Sequence, residues 1–377
     1  PFTAADNNPD NELWTPPLPG QEIVVELQID DRDRDFIERN LALTSINVGY
    51  RGFYDQAAPS RSGSCNYDVE CSEADDWRNE IPCVAAISTG GSLFCTGFMV
   101  NNLANDGTPF FMTADHCGIN SGNAASLVAF WNYQDAPDAS LDCPGNSSET
   151  GSLDQFTTGS TLRASGSASD FTLVEFYTAP DDAYGVGYCG WDANDVITEY
   201  SVAIHHPNVD NKRWSIDYDN SEIYGYNTPG TTHLRIVDWD LGTTEPGSSG
   251  SPLFNQDHRI VGQLHGGYAA CGNDLEDWYG RFAVSYPAGL SEWLDPNGSG
   301  SLVCDTLGTG LSVDPFGDIL HIGPVGGPFN DASIDYTVSN NTDQAVTYSV
   351  SQQGDTNFDI NGSPFGTGGT LAGGESV

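Results

Sequence analysis

Three short strings in the 377-residue chain carry side chains that could do chemistry together. Phe111-Met112-Thr113-Ala114-Asp115-His116-Cys117 is an apolar run that ends in a histidine beside a cysteine. Ala168-Ser169-Asp170-Phe171-Thr172-Leu173 puts a carboxylate at the entry of a second apolar run, and Gly247-Ser248-Ser249-Gly250-Ser251-Pro252 sets a serine in a glycine-rich turn. A serine hydroxyl is a weak nucleophile until an imidazole takes its proton, and that imidazole needs a carboxylate to fix its tautomer. Ser249 is the candidate nucleophile, His116 the general base and Asp170 its orienter. Glycines beside the serine let the backbone turn until the amides of Gly247 and Ser249 point at one spot, as an oxyanion hole requires. Singly, each string also reads as a strand end, a strand entry or a loop. Their order along the chain, His then Asp then Ser, is what joins them.

The elements that must hold these residues are short and β-rich. Val84–Ser88, Phe171–Phe176, Ile260–Leu264 and Arg281–Val284 read as strands, with Gly, Asn and Asp between them. Residues 62–303 are expected to form one all-β unit of barrel or sandwich type, closed by a helix through Leu290–Leu294 that Asp295-Pro296-Asn297-Gly298 stops. Residues 1–61 carry one strand-like run, Ile23–Leu27, and the acidic cluster Asp30–Asp35. That cluster lacks the glycine and glutamate of a calcium loop, so it reads as a solvated turn. The segment is expected to be a propeptide remnant or an N-terminal arm. In residues 304–377, alternating runs at Ile334–Val338 and Val346–Val350 suggest a small, incomplete immunoglobulin-like β-sandwich.

Composition excludes several classes. Twelve basic residues against 53 acidic ones give a net charge of −41, which would repel nucleic acid. No run approaches the ~20 apolar residues of a membrane-spanning helix. The nine cysteines include no CxxC pair, which favours disulfides in an oxidising compartment over zinc. No metal or cofactor is expected; a structural calcium at an acidic loop is left open, without a position. All the basic residues but Lys212 are arginines.

These strings and several others resemble the lysyl endopeptidases, a secreted bacterial branch of the trypsin-like proteases, over roughly residues 62–300. The further strings are Ser64-Cys65-Asn66-Tyr67-Asp68-Val69-Glu70-Cys71, Phe130-Trp131-Asn132-Tyr133-Gln134, Ala203-Ile204-His205-His206-Pro207-Asn208-Val209 and Gly262-Gln263-Leu264-His265-Gly266-Gly267. The resemblance implies a trypsin-like double β-barrel. It puts Asp277 at the base of the specificity pocket, His265 stacked on Trp191 beside the triad, and Gly266, next to Leu264, paired with substrate as an added strand. It implies disulfides Cys65–Cys271, Cys71–Cys143 and Cys95–Cys117. Cys83–Cys189 is expected because their strands run close in such folds, which leaves Cys304 unpaired. The expected protein is a secreted, extracellular, monomeric serine endopeptidase that cuts protein or peptide substrates after basic residues, Lys preferred. A scarcity of lysine suits an enzyme that cuts after it. The segment between Cys271 and Asp277 is shorter than in the family, so an enzyme taking Arg and Lys alike stays open. So does a non-catalytic homologue that uses the groove for binding or adhesion. Maturation is expected near Ser62, where Arg61 is the nearest basic residue.

Overall fold

The computed structural model describes residues 62–308 apart from 91, 137–141, 146–150 and 274, with shorter stretches within 9–46 and 311–377. Seven strands form the first sheet: β1 (Val84–Thr89), β2 (Ser92–Met99), β3 (Phe110–Ala114), β4 (Val128–Phe130), β5 (Phe156–Thr158), β6 (Ser160–Gly166) and β7 (Phe171–Phe176). Their order is β5-β4-β1-β2-β3-β7-β6. The two edge strands, β5 and β6, are consecutive in the chain and separated only by Gly159, which turns with φ +79°. Thr158 and Ser160 can therefore be no more than about 7 Å apart, so the sheet curls until its edges meet and closes a barrel. Ile87, Met99, Phe111, Trp131, Val174 and Phe176 fill its interior.

The second barrel uses β8 (Ser201–His205), β9 (Arg213–Asp217), β10 (Glu222–Gly225), β11 (Thr228–Ile236), β12 (Pro252–Phe254), β13 (Ile260–Gly267) and β14 (Asp277–Arg281). Their order is β9-β8-β12-β13-β14-β11-β10. The chain leaving β11 closes the ring: Leu241 and Ile216 of β9 exchange backbone hydrogen bonds of 3.0 and 3.1 Å. Between the barrels lies a third apolar mass that includes Phe98, Phe110, Leu173, Trp191, Ile204 and Phe254.

Three expectations change here. Arg281–Val284 is not one strand: β14 ends at Arg281, and helical turns run Phe282–Ser285, Tyr286–Leu290 and Ser291–Leu294. Phe282 and Ser285, three apart, share the buried face that a helix supplies and a strand would split. Ile23–Leu27 is exposed and forms no strand, since a lone strand has neither a ladder partner nor a face to bury. The acidic cluster beside it starts a helix instead: Asp30 accepts from the amide of Arg32 ahead of Arg34–Asn40, and carboxylates suit a helix N-terminus.

A second compact unit begins at Leu307. Leu311–Asp314 pairs with Thr337–Asn340, and Val346–Val350 pairs with Thr367–Leu371. Val346–Val350 is the strand expected there; residues 334–336 of the other expected strand lie outside the described residues. The two pairs belong to separate two-stranded sheets.

Candidate active site

The first barrel supplies a histidine and a carboxylate. At the end of β3 the chain enters a tight turn, Asp115–Cys117, closed by Gly118 at φ +78°. Cys117 is disulfide-bonded to Cys95 of β2, which fixes the turn that carries His116. Asp170 enters β7 with φ +57°, a left-handed conformation that Asp tolerates better than most residues. It is 2% exposed. One of its oxygens accepts the backbone N–H of His116 at 2.9 Å, and the other lies 2.7 Å from ring Nδ1. With the ring proton held on Nδ1, Nε2 keeps its lone pair, as a general base needs. Gln263 of β13 donates to the carbonyls of Ser169 and Asp170, at 2.6 and 3.2 Å, and so fastens this corner to the second barrel.

The second barrel brings the serine. Gly247 and Gly250 flank Ser248-Ser249 at φ +99° and +83°. A Cβ on Gly250 would run into Thr113 and the carbonyl of Thr96, so this turn requires glycine. Thr96 of β2 ties it across the barrel junction, its amide on the Ser249 carbonyl and its hydroxyl on that of Gly247, both at 2.9 Å. The Ser249 carbonyl is also 3.9 Å from Sγ of Cys117, the residue after His116. The amides of Gly247 and Ser249 meet no acceptor among the described residues. A second brace comes from the segment after Arg61. The Gly63 amide bonds both oxygens of Glu245, at 3.0 and 3.2 Å, while Ser62 bonds Asp210 through its amide and hydroxyl.

His265 of β13 lies beside this group, its Nδ1 3.7 Å from Asp170 Oδ2 and its ring stacked 5.4 Å from that of His116. Its own stacking partner is Tyr226, at 3.7 Å and 5° between planes. Trp191 is not that partner. It is fully buried between the barrels, stacked on Phe282 and tilted against Tyr286, with its indole N–H on the Asn101 carbonyl. Leu264 cannot pair with a substrate either, because its amide donates to Ser251 and its carbonyl accepts from Gly250, both at 2.8 Å. It locks the serine turn. Gly266, at φ +148°, stands opposite Trp278 where the β13–β14 register shifts.

Asp277 starts β14 opposite Ile236 and Gly267, with no exposure to solvent. Oδ2 accepts from Trp239 Nε1 at 2.8 Å and Thr244 Oγ1 at 2.7 Å, while Oδ1 is buried without a hydrogen bond. Burial pushes its pKa up to about 6, against the pull of those two donors and of the Ala269 backbone amide. Gly267 lies over Oδ1 so closely that a Cβ would collide with it. Trp239 also lines a cavity of about 330 Å³, with Thr243, Ala269 and Cys65; Asp277 itself does not line it.

Cys65–Cys271, Cys71–Cys143 and Cys95–Cys117 are bonded as expected. Cys83–Cys189 is not. Both are buried thiols close enough to hydrogen-bond each other, and each also faces a carbonyl, of Asn79 and Glu80 respectively. Cys304 is free as expected, and burial raises its thiol to about 12.

Two closed β-barrels with a His–Asp corner and a serine turn at their junction define the trypsin-like double-barrel class. Within that class the chain belongs to the lysyl endopeptidase family, whose C-terminal-domain model matches residues 60–280. A lysyl endopeptidase of Pseudomonas aeruginosa is 28% identical over 307 residues, 75% of this chain. The match spans 63% of that relative's length. Two solved structures resemble the chain more distantly. A Mycobacterium tuberculosis protease in its active form is 14% identical, with 66% of this chain and 93% of that one covered at a TM-score of 0.38. A Glu endopeptidase is also 14% identical, with 60% and 93% covered at 0.37. Those scores are too low to bear on function.

Proposed function

We propose that this protein is a serine endopeptidase in which Ser249 attacks the scissile carbonyl, His116 takes and returns the proton, and Asp170 holds the imidazole. The observation that carries this reading is the pair of hydrogen bonds, 2.9 and 2.7 Å, that fix His116 on Asp170 next to the serine turn. The free amides of Gly247 and Ser249 would receive the oxyanion. The acyl-enzyme then forms on Ser249 Oγ as the amine leaves with the proton from His116, and water releases it by the same route. Cleavage of a mixed peptide pool, read by mass spectrometry, tests it. Cuts clustered after one residue type and absent with Ser249→Ala are expected; cuts that persist in Ser249→Ala would exclude it.

We infer a preference for lysine from the state of Asp277. Its Oδ2 is already taken by Trp239 and Thr244, so one oxygen is left for the substrate. A compact ammonium needs one such acceptor, whereas a guanidinium fork is best met by two. The single lysine supports this reading. Lys212 is fully buried with its ammonium on the Ile81 carbonyl at 2.8 Å, so a folded copy offers no lysine to cut. Matched Lys and Arg esters are expected to differ tenfold or more in kcat/KM; equal values would refute the preference. Acidity should matter too. Only ionised Asp277 attracts an ammonium, so kcat/KM on Lys substrates should fall about tenfold per pH unit below the carboxyl's pKa of about 6. The profile for an apolar substrate should keep only the acid limb of the His116 base, without this added fall.

The three disulfides favour an oxidising, extracellular location. No helix among the described residues is long and apolar enough to cross a membrane.

A further inference from the structure

A second histidine is joined to the site through His265. Nε2 of His233 lies 2.9 Å from Nδ1 of His265, and Nδ1 of His233 lies 2.8 Å from the hydroxyl of Thr232. His233 is 2% exposed on β11, between Tyr224 of β10 and Gly280 of β14. Tyr226 covers both imidazoles, 3.7 Å from one and 5.7 Å from the other. Burial lowers both pKa values, that of His233 to about 4, so each ring is neutral near pH 7 and carries one proton.

The neighbours decide where those protons sit. Nδ1 of His265 faces His233 Nε2 at 2.9 Å and the Asp170 carboxylate at 3.7 Å. A lone pair there would be repelled by the carboxylate, whereas a proton would be attracted and would need an acceptor in line. His233 Nε2 accepts only if the proton of its own ring is on Nδ1, and there the Thr232 hydroxyl receives it. One assignment satisfies every contact: His265 Nδ1–H donates to His233, and His233 Nδ1–H donates to Thr232.

We propose that His233, with Thr232, is a positioning residue that holds the proton of His265 on Nδ1, so that this N–H shares the charge of Asp170 with His116. The proposal rests on the triad reading above. Its consequence concerns His116. With less of the carboxylate's charge falling on it, the imidazolium is held less tightly, and the ring is the neutral base over a wider range of pH. Besides His265, the ionisable groups around His233 are Asp170, Tyr226 and Tyr224. Arg281 is engaged elsewhere, with the Thr231 carbonyl and Asp195.

The test combines kinetics with a spectroscopic readout that needs no turnover. His233→Phe keeps the bulk and removes the acceptor; His233→Gln puts an amide oxygen near the position of Nε2; Thr232→Val removes the acceptor for His233. On an apolar substrate, whose acid limb reports His116 without Asp277, that limb of kcat/KM should move up by about half a pH unit in His233→Phe and Thr232→Val, a roughly threefold loss there with KM unchanged. In His233→Gln it should return. In Ser249→Ala, proton–nitrogen NMR should place the His265 proton on Nδ1. Its appearance on Nε2, or an acid limb unmoved in Thr232→Val, would overturn the proposal. The NMR result stands whether or not Ser249 proves to be the nucleophile, and Thr232→Val carries the kinetics if His233→Phe does not fold.

Discussion

Asp170→Asn is expected to lower kcat about ten-thousandfold, with KM changed only a few-fold and the fold intact. His116 presents two donors to this side chain, its backbone N–H on Oδ1 at 2.9 Å and its ring Nδ1–H on Oδ2 at 2.7 Å. A carboxylate accepts both. A carboxamide has one acceptor and one donor, so one contact must fail or the ring must change tautomer. The backbone N–H cannot move its proton, so the amide oxygen will face it and the NH2 will face Nδ1. The ring proton then shifts to Nε2, the atom that has to take the proton of Ser249. The only other side-chain contact it weakens is that of His265 Nδ1, 3.7 Å from Oδ2. Asn tolerates the φ of +57° nearly as well as Asp, and Gln263 and Asp115 touch only the backbone of residue 170. Kinetics on a Lys ester, beside a thermal unfolding curve, checks both halves. A loss of less than a hundredfold in a folded variant would remove Asp170 from the role of orienter.

What could be read from the sequence, and what could not, follows from the range over which each feature is determined. His116, Asp170 and Ser249 stood out because each sits in a local string whose backbone is set by its neighbours: an apolar strand, a strand entry, a turn needing glycine at 247 and 250. The strand at Phe171–Phe176 has its expected bounds for the same reason. The stack on His265 is different. Tyr226 reaches it from the β10–β11 hairpin, and nothing near either residue in the chain announces that meeting. An indole between glycine and aspartate, Trp191, was the more conspicuous aromatic, yet it is an ordinary core residue. His233 has no flanking motif and is found only by following hydrogen bonds outward from Asp170. Leu264 lies on the right strand, but strand position alone does not show that the serine turn already takes its backbone groups. Cys83 and Cys189 were rightly placed close together. Proximity does not make a bond, and each thiol turns toward a carbonyl instead.

The second large effect concerns choice of substrate. Asp277→Asn should reduce kcat/KM for Lys substrates by roughly a thousandfold and for an apolar substrate by no more than a few-fold. Trp239 and Thr244 both donate to one oxygen, so the amide will turn its carbonyl toward them. Its NH2 then occupies the place of Oδ1, where an ammonium would arrive: the attracting charge is lost and a donor faces the incoming cation. The added fall below pH 6 on Lys substrates should vanish with it, since it reports the same carboxyl, and only the limb of the His116 base should remain. Stability should move the other way. A folded pKa of about 6 against a model value of 3.8 means that the folded state holds its proton more tightly than the unfolded chain does. The wild type therefore loses stability as pH rises through that window, by at most about 3 kcal/mol, and the loss is complete above it. A neutral Asn escapes that loss, so the variant should unfold at a higher temperature than the wild type at pH 8 while being a far poorer enzyme on lysine. Equal losses on Lys and apolar substrates would refute Asp277 as the base of the pocket. A lower unfolding temperature at pH 8 would show that the two hydrogen bonds to its ionised form outweigh the cost of burying the charge.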